Sequence, residues 1–247
     1  MDINNSSLEP RAPQWGLAGT LFWGTVVAVV TVFIQTLAVI SYAIFVYGDF
    51  SEELLTELEY NGMALSIATF ATFIFCSLLI FGIVKLKRNS NIKHYLALNT
   101  ISLGEVKKWV LIIFALIVLT DSLTYLLGKP IVVEFMTKAY RSADLMWLFW
   151  IALIVAAPIF EELFFRGFLF TGLSSSFLGP AGAILVTSAT WAAVHLQYEL
   201  YGIISIFIVG LVLGIARFTT GSILTTIMMH SIMNLVATVQ TAIYMAD

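Results

Sequence analysis

The chain has 247 residues; 60% of them are hydrophobic and 11% are charged, and the mean hydropathy is +0.97. A soluble domain carries about 25% charged residues, so the composition excludes a soluble globular protein and predicts an integral membrane protein. A net charge of −3 without a basic stripe excludes a nucleic-acid partner. Cys76 is the single cysteine, which excludes an intramolecular disulfide.

Apolar stretches follow one another along the chain, and about 20 apolar residues suffice to cross a bilayer. They predict an all-α fold, a polytopic transmembrane helical bundle of about seven spans, or eight if one is re-entrant. Residues 1–14 are polar, and residues 15–247 are expected to form a single integral membrane domain with a retained first span. The predicted spans are residues 15–47, 61–84, 109–127, 146–173, 181–197, 201–218 and 221–244.

Charged residues collect between the spans. Residues 48–60 are acidic and predict a short interfacial helix, whereas the connector 85–108 holds six of the twelve lysines and arginines. By the positive-inside rule this connector lies in the cytoplasm, which places residues 48–60 and 128–145 on the other side. We expect a location in a bacterial or archaeal cytoplasmic membrane, with membrane lipid as the immediate partner.

Ionisable residues interrupt the fourth predicted span. Glu161, Glu162 and Arg166 lie inside an apolar run, and charged groups at that depth are costly enough to indicate a functional site. On a helix Glu162 and Arg166 are four residues apart and share a face, whereas Glu161 lies about 100° round from Glu162. The spacing predicts that Glu162 pairs with Arg166 and that Glu161 is available for chemistry. Pro158, one turn earlier, removes a backbone donor.

Two later spans carry polar pairs one helical turn apart, Trp191 with His195 and His230 with Asn234. Each pair falls on one helix face. Counting about 1.5 Å per residue places both pairs at a depth similar to that of the carboxylates, so all can meet if the spans are neighbours. Carboxylates, imidazoles and an amide suffice for acid–base hydrolysis. Taken singly, each of these residues often does no more than join membrane helices.

Together the motifs resemble those of the CPBP family, the intramembrane proteases related to CAAX prenyl endopeptidases and to bacteriocin-processing and immunity proteins of the Abi type. They lie within residues 146–244 and read Glu161-Glu162-x-x-x-Arg166, Trp191-x-x-x-His195 and His230-x-x-x-Asn234. Trp191 stands where the family usually has phenylalanine.

The resemblance implies an intramembrane endopeptidase whose catalytic core is residues 146–244. Its substrate would be a membrane-associated protein or peptide, with or without a lipid. By resemblance, Glu161 and His195 activate a water molecule, and His230 and Asn234 form the oxyanion site. Glu162 and Arg166 order the first motif.

The role of metal stays open, because the family is described both as metalloproteases and as glutamate proteases. His195, His230 and one glutamate could supply three zinc ligands. Against this, the chain has no His-Glu-x-x-His motif, and Arg166 disfavours a cation nearby. We favour a glutamate mechanism without a cofactor and keep zinc as the alternative.

Two other classes of function stay open. One is a non-catalytic membrane scaffold or immunity protein with the same fold. The other is a proton-coupled transporter, since buried glutamate, histidine and arginine also form proton relays. The polar pairs cluster in the later spans and no mirrored half is evident, which disfavours the transporter. A complex with other membrane proteins is also open.

Overall fold

The computed structural model describes residues 13–246, so the first twelve residues of the predicted polar segment and Asp247 lie outside the described residues. Within residues 13–246 the chain forms helices and no strands, which confirms the predicted all-α fold. The ten helices of this part are α1 Leu17–Tyr47, α2 Glu52–Leu58, α3 Gly62–Leu86, α4 Ile92–Tyr95, α5 Leu103–Leu126, α6 Glu134–Arg141, α7 Met146–Ser174, α8 Gly179–Ala193, α9 Leu200–Thr220 and α10 Ile223–Tyr244.

Six helices of residues 13–246 are long and apolar enough to cross a membrane, namely α1, α3, α5, α7, α9 and α10. The remaining predicted span corresponds to α8, which has 15 residues. At 1.5 Å per residue α8 is about 22 Å long, shorter than a hydrocarbon core of about 30 Å. The predicted end of this span at residue 197 was wrong, because the helix stops at Ala193 and His195 lies in the loop that follows.

Helix α7 departs from regular α-helical geometry on both sides of the glutamates. The stretches Ala152–Ala156 and Leu163–Leu169 are π-helical, and the α-helical stretch Ala157–Glu162 lies between them. A π-helix bonds each carbonyl to the N–H five residues on, and such turns occur frequently at functional sites. Pro158 has no N–H, so the carbonyl of Leu153, five residues earlier, needs a donor from elsewhere.

Two glycines let α8 and α9 approach closely. A Cβ atom built on Gly210 would lie 3.0 Å from Cβ of Ser188, and one built on Gly214 would lie 3.0 Å from the side chain of Ile184. Small residues allow the backbones of membrane helices to approach in this way. The Gly210 carbonyl thereby comes within reach of α7, where Arg166 binds it.

The connector after α3 folds back against the bundle. Tyr95 is 1% exposed, and its carbonyl accepts a hydrogen bond from the hydroxyl of Thr171 on α7 at 2.9 Å. The carbonyl of Ala97 accepts a hydrogen bond from the N–H of Ile223 at 3.0 Å. The connector thus fixes the end of α7 and the start of α10, the two helices that carry most of the polar residues.

Candidate active site

Five of the six predicted site residues are linked by contacts inside the bundle, through Glu162 and through the side chain of Trp191. The amide of Asn234 bonds instead to a backbone carbonyl of α7. Three of the six predicted site residues are buried: Glu162, Arg166 and His230. The other three are half-buried: Glu161, His195 and Asn234. The site therefore has a sealed part and a part that retains access to its surroundings.

Glu162 is the centre of the sealed part. Nη1 of Arg166 donates to Oε1 of Glu162 at 2.9 Å, the pairing predicted from the four-residue spacing. Nδ1 of His230 lies 3.0 Å from the same oxygen, and Nη2 of Arg166 donates to the carbonyl of Gly210 at 3.2 Å. Buried charges are tolerated when they are paired and hydrogen-bonded. These bonds neutralise Glu162 and join α7, α9 and α10.

Glu161, one residue earlier, is held differently. Its Oε2 accepts a hydrogen bond from Nε1 of Trp191 at 2.5 Å, while its Oε1 has no hydrogen-bond partner among the described residues. Glu162 also has an oxygen without a partner within residues 13–246, Oε2, but that atom is fully buried. Of the two carboxylates, Glu161 is the one placed to meet a water molecule or a substrate.

Trp191 contacts both parts of the site. It is 1% exposed, and Cζ of Arg166 lies 4.7 Å from the centroid of its ring. The rings of His195 and His230 approach it edge-to-face, with centroids 5.3 and 5.2 Å away. The motif includes Trp191, but its spacing did not predict that the indole donates a hydrogen bond to Glu161. The available signal was the indole N–H itself, which a phenylalanine lacks.

The loop after α8 holds His195 and Tyr198. Nδ1 of His195 lies 2.7 Å from the carbonyl oxygen of Trp191. Because a carbonyl only accepts, Nδ1 carries a proton and Nε2 of the neutral ring is a base. The ring of Tyr198 lies 6.1 Å from that of His195. Burial and then the negative charge of Glu161 raise the pKa of Tyr198 to about 12, so its hydroxyl stays protonated at neutral pH. No sequence motif indicated Tyr198.

Asn234 supplies the donor that the π-helical stretch of α7 lacks. Its Nδ2 donates to the carbonyl of Leu153 at 2.8 Å. This carbonyl would bond to the N–H of residue 158 in a π-helix, but residue 158 is a proline and has no N–H. The contact ties α10 to the π-helical stretch of α7 that precedes the glutamates. An amide nitrogen carries two N–H groups, so one remains for a ligand.

A resident metal ion does not fit these residues as they are arranged. Residues 13–246 contain no group of three or more histidine, cysteine, aspartate or glutamate side chains positioned to hold a metal. Glu162 and His230 are in contact, but the oxygen they share also binds the guanidinium of Arg166. A cation at that place would have to displace Arg166.

Comparison with known proteins agrees with the motifs. Residues 143–236, which include all six predicted site residues, match the family model described as Type II CAAX prenyl endopeptidase Rce1-like. An uncharacterized 24.3 kDa protein of Escherichia coli is 32% identical over 114 residues, which are 43% of this chain and 52%, about half, of that protein. No solved structure matches the chain significantly. The match over residues 143–236 confirms the resemblance to CAAX-type intramembrane proteases that was predicted from the motifs.

Proposed function

We propose that the protein is an intramembrane endopeptidase that hydrolyses a peptide bond in a membrane-associated protein or peptide, with residues 146–244 as its catalytic core. The observation that carries the proposal is the unlike surroundings of two adjacent glutamates. Glu162 is sealed and neutralised by Arg166 and His230. Glu161 is half-buried and keeps one oxygen without a partner among the described residues. An accessible carboxylate of this kind can act as the general base that activates a water for hydrolysis.

In the proposed reaction Glu161 and His195 hold the attacking water between them. Oε1 of Glu161 takes one proton from the water, and the unprotonated Nε2 of His195 accepts a hydrogen bond from its other O–H. The water oxygen bonds to the carbonyl carbon of the scissile peptide, and the C–N bond then breaks. The proton held by Glu161 passes to the leaving amine, so the base is restored at the end of each turnover.

We assign the stabilisation of the oxyanion to His230 and Asn234. Asn234 has one amide N–H that is not used by Leu153, and His230 is fixed through Nδ1 by Glu162. Its Nε2 is a donor once the ring carries both protons. The free N–H of Asn234 is already in place when the charge develops and needs no reorganisation, and the loss of one such donor typically costs about 10²–10³-fold in rate.

We propose that this reaction requires no metal or other cofactor, since Arg166 occupies the place beside Glu162 and His230. The proposed surroundings are the lipid of a bacterial or archaeal cytoplasmic membrane, and the six apolar helices long enough to span a bilayer support a membrane location. The family description names prenyl endopeptidases, which supports a substrate that carries a lipid.

The test is digestion of a peptide library by the purified protein in detergent, with each peptide in a prenylated and a plain form. Mass spectrometry of reactions in H₂¹⁸O is expected to show products whose new C-terminus contains one ¹⁸O atom. Protein with Glu161→Gln, purified identically, is the control for a contaminating protease. Absence of cleavage by wild-type protein in either substrate form, or equal cleavage by the control, would overturn the proposal.

A further inference from the structure

We infer that Trp191 is a positioning residue that fixes both groups proposed to hold the attacking water. Its indole N–H fixes one oxygen of Glu161, and its backbone carbonyl fixes the ring of His195. The inference rests on the proposed function, because it gives a role to Trp191 through Glu161 and His195. Trp191 itself transfers no proton.

The contacts of Trp191 leave its indole little freedom. Nε1 lies 2.5 Å from Oε2 of Glu161, shorter than the usual 2.7–2.9 Å or so of charge-assisted N–H···O bonds. The side chain is 1% exposed. Arg166 lies over the ring at 4.7 Å, and the two histidine rings pack against it. A donor confined in this way determines where its acceptor can lie.

The chemistry of indole suits this task. Its N–H only donates and does not titrate near neutral pH, so Oε2 of Glu161 stays bound before and after proton transfer. The proton of the water must then go to Oε1. Without the donor, the carboxylate could turn about its last torsion, which is broad, and neither oxygen would be held towards the water. A phenylalanine would fill most of the space without fixing the carboxylate.

The second contact runs through the backbone of the same residue. Nδ1 of His195 donates to the carbonyl oxygen of Trp191 at 2.7 Å, which directs the unprotonated Nε2 away from this bond. The positions of Glu161 and of the His195 ring are thus both fixed by hydrogen bonds to Trp191. Trp191 thereby sets the separation between the two groups that share the water.

The chain offers a matched control in Trp109. Its side chain is 4% exposed, and its Nε1 donates to Oε2 of Glu105 at 3.0 Å. This is the same kind of indole–carboxylate bond, in a tryptophan that has no hydrogen bond, ring pair or cation–π contact with a predicted site residue within residues 13–246. Trp109→Phe therefore removes comparable bulk and a comparable bond without touching the site.

The hydrogen bond is tested by NMR of the indole N–H groups of the six tryptophans in detergent. The resonance that disappears in Trp191→Phe belongs to Trp191. In Glu161→Ala we expect the Trp191 resonance to move upfield and the Trp109 resonance to stay. In Glu105→Ala we expect the Trp109 resonance to move upfield and the Trp191 resonance to stay. A Trp191 resonance that does not respond to Glu161→Ala would overturn the inference. This measurement does not depend on enzymatic activity. It therefore tests the hydrogen bond even if the protein proves not to cleave peptides.

The positioning role is tested by kinetics. Trp191→Phe is expected to lower kcat by about 10–100-fold, the range for losing a hydrogen bond to a charged group, with KM changed by no more than about twofold because substrate contacts remain. Trp109→Phe is expected to leave kcat unchanged. Replacement of Trp191 by β-(3-benzothienyl)alanine keeps the bulk and substitutes sulfur for the N–H, and the same loss of kcat is expected. Wild-type kcat in that protein would overturn the inference even where Glu161→Gln abolishes turnover.

Discussion

The buried pair of Glu162 and Arg166 makes the stability of the fold depend on each partner. Both side chains are 0% exposed and share a bond of 2.9 Å. Arg166→Ala leaves Glu162 with Nδ1 of His230 as its remaining partner, and Glu162→Ala leaves Arg166 with the carbonyl of Gly210. Removing one member of a buried pair typically costs about 3–5 kcal/mol, so we expect each single variant to lose unfolding free energy in that range.

The double variant distinguishes the cost of an unpaired buried charge from the cost of lost packing. With both residues replaced by alanine no charge is left uncompensated, so the loss is expected to be smaller than the sum of the two single losses. For residues in direct contact the difference reaches about 3 kcal/mol, and burial of both groups places this pair near that upper end. The assay is equilibrium unfolding in mixed micelles of a mild detergent and sodium dodecyl sulfate.

A surface pair provides the control for burial. Glu134 and Lys138 have the same four-residue spacing and a bond of 2.8 Å, but their side chains are 79% and 50% exposed. For exposed helical pairs of this kind the coupling is about 0.3–0.5 kcal/mol. The reasoning that burial makes the pair interdependent would be refuted by additive losses of unfolding free energy for Glu162 and Arg166. It would also be refuted if the coupling energy of this pair were as small as that of Glu134 and Lys138.

Three further predictions concern Asn234, metal and orientation. Asn234→Ala is expected to lower the unfolding free energy by about 1–3 kcal/mol, because the carbonyl of Leu153 loses its donor, and to lower kcat by about 10²–10³-fold; an unchanged kcat would remove Asn234 from the oxyanion site. Treatment with 1,10-phenanthroline is expected to leave activity intact, and elemental analysis to find no stoichiometric zinc; activity lost to the chelator and restored by zinc would contradict this. A cysteine that replaces Arg88 is expected to be shielded from an impermeant thiol reagent in intact cells, whereas a cysteine that replaces Asp144 is expected to react. Both positions are exposed, and the native Cys76 is buried. The opposite pattern would invert the topology.

Helices and the contact within one helix were predictable from sequence because both follow local rules. Apolar length alone placed the first and last spans at 15–47 and 221–244, close to the helices Leu17–Tyr47 and Ile223–Tyr244. The spacing of Glu162 and Arg166 predicted their ion pair, because residues four apart share a helix face.

Contacts between helices were not predictable in the same way, since they depend on which helices are neighbours and on how each is rotated. The bond from Trp191 to Glu161 joins residues 30 apart in sequence, and the bond from Arg166 to the carbonyl of Gly210 joins residues 44 apart. The π-helical turns of α7 had only Pro158 as a sequence signal. The early end of α8 was missed because the loop residues beyond it, Val194 and Leu196, are as apolar as a span.

The most direct test of the proposed mechanism is kcat for one cleaved peptide, measured for wild-type protein and for Glu161→Gln at matched unfolding stability. Glutamine keeps the size of the side chain and an oxygen that can accept the indole N–H of Trp191, but it cannot take a proton from water. Loss of a general base costs about 10²–10⁴-fold, and a fall of kcat in that range is the expected result. A kcat equal to that of the wild type would contradict the assignment of Glu161 as the base.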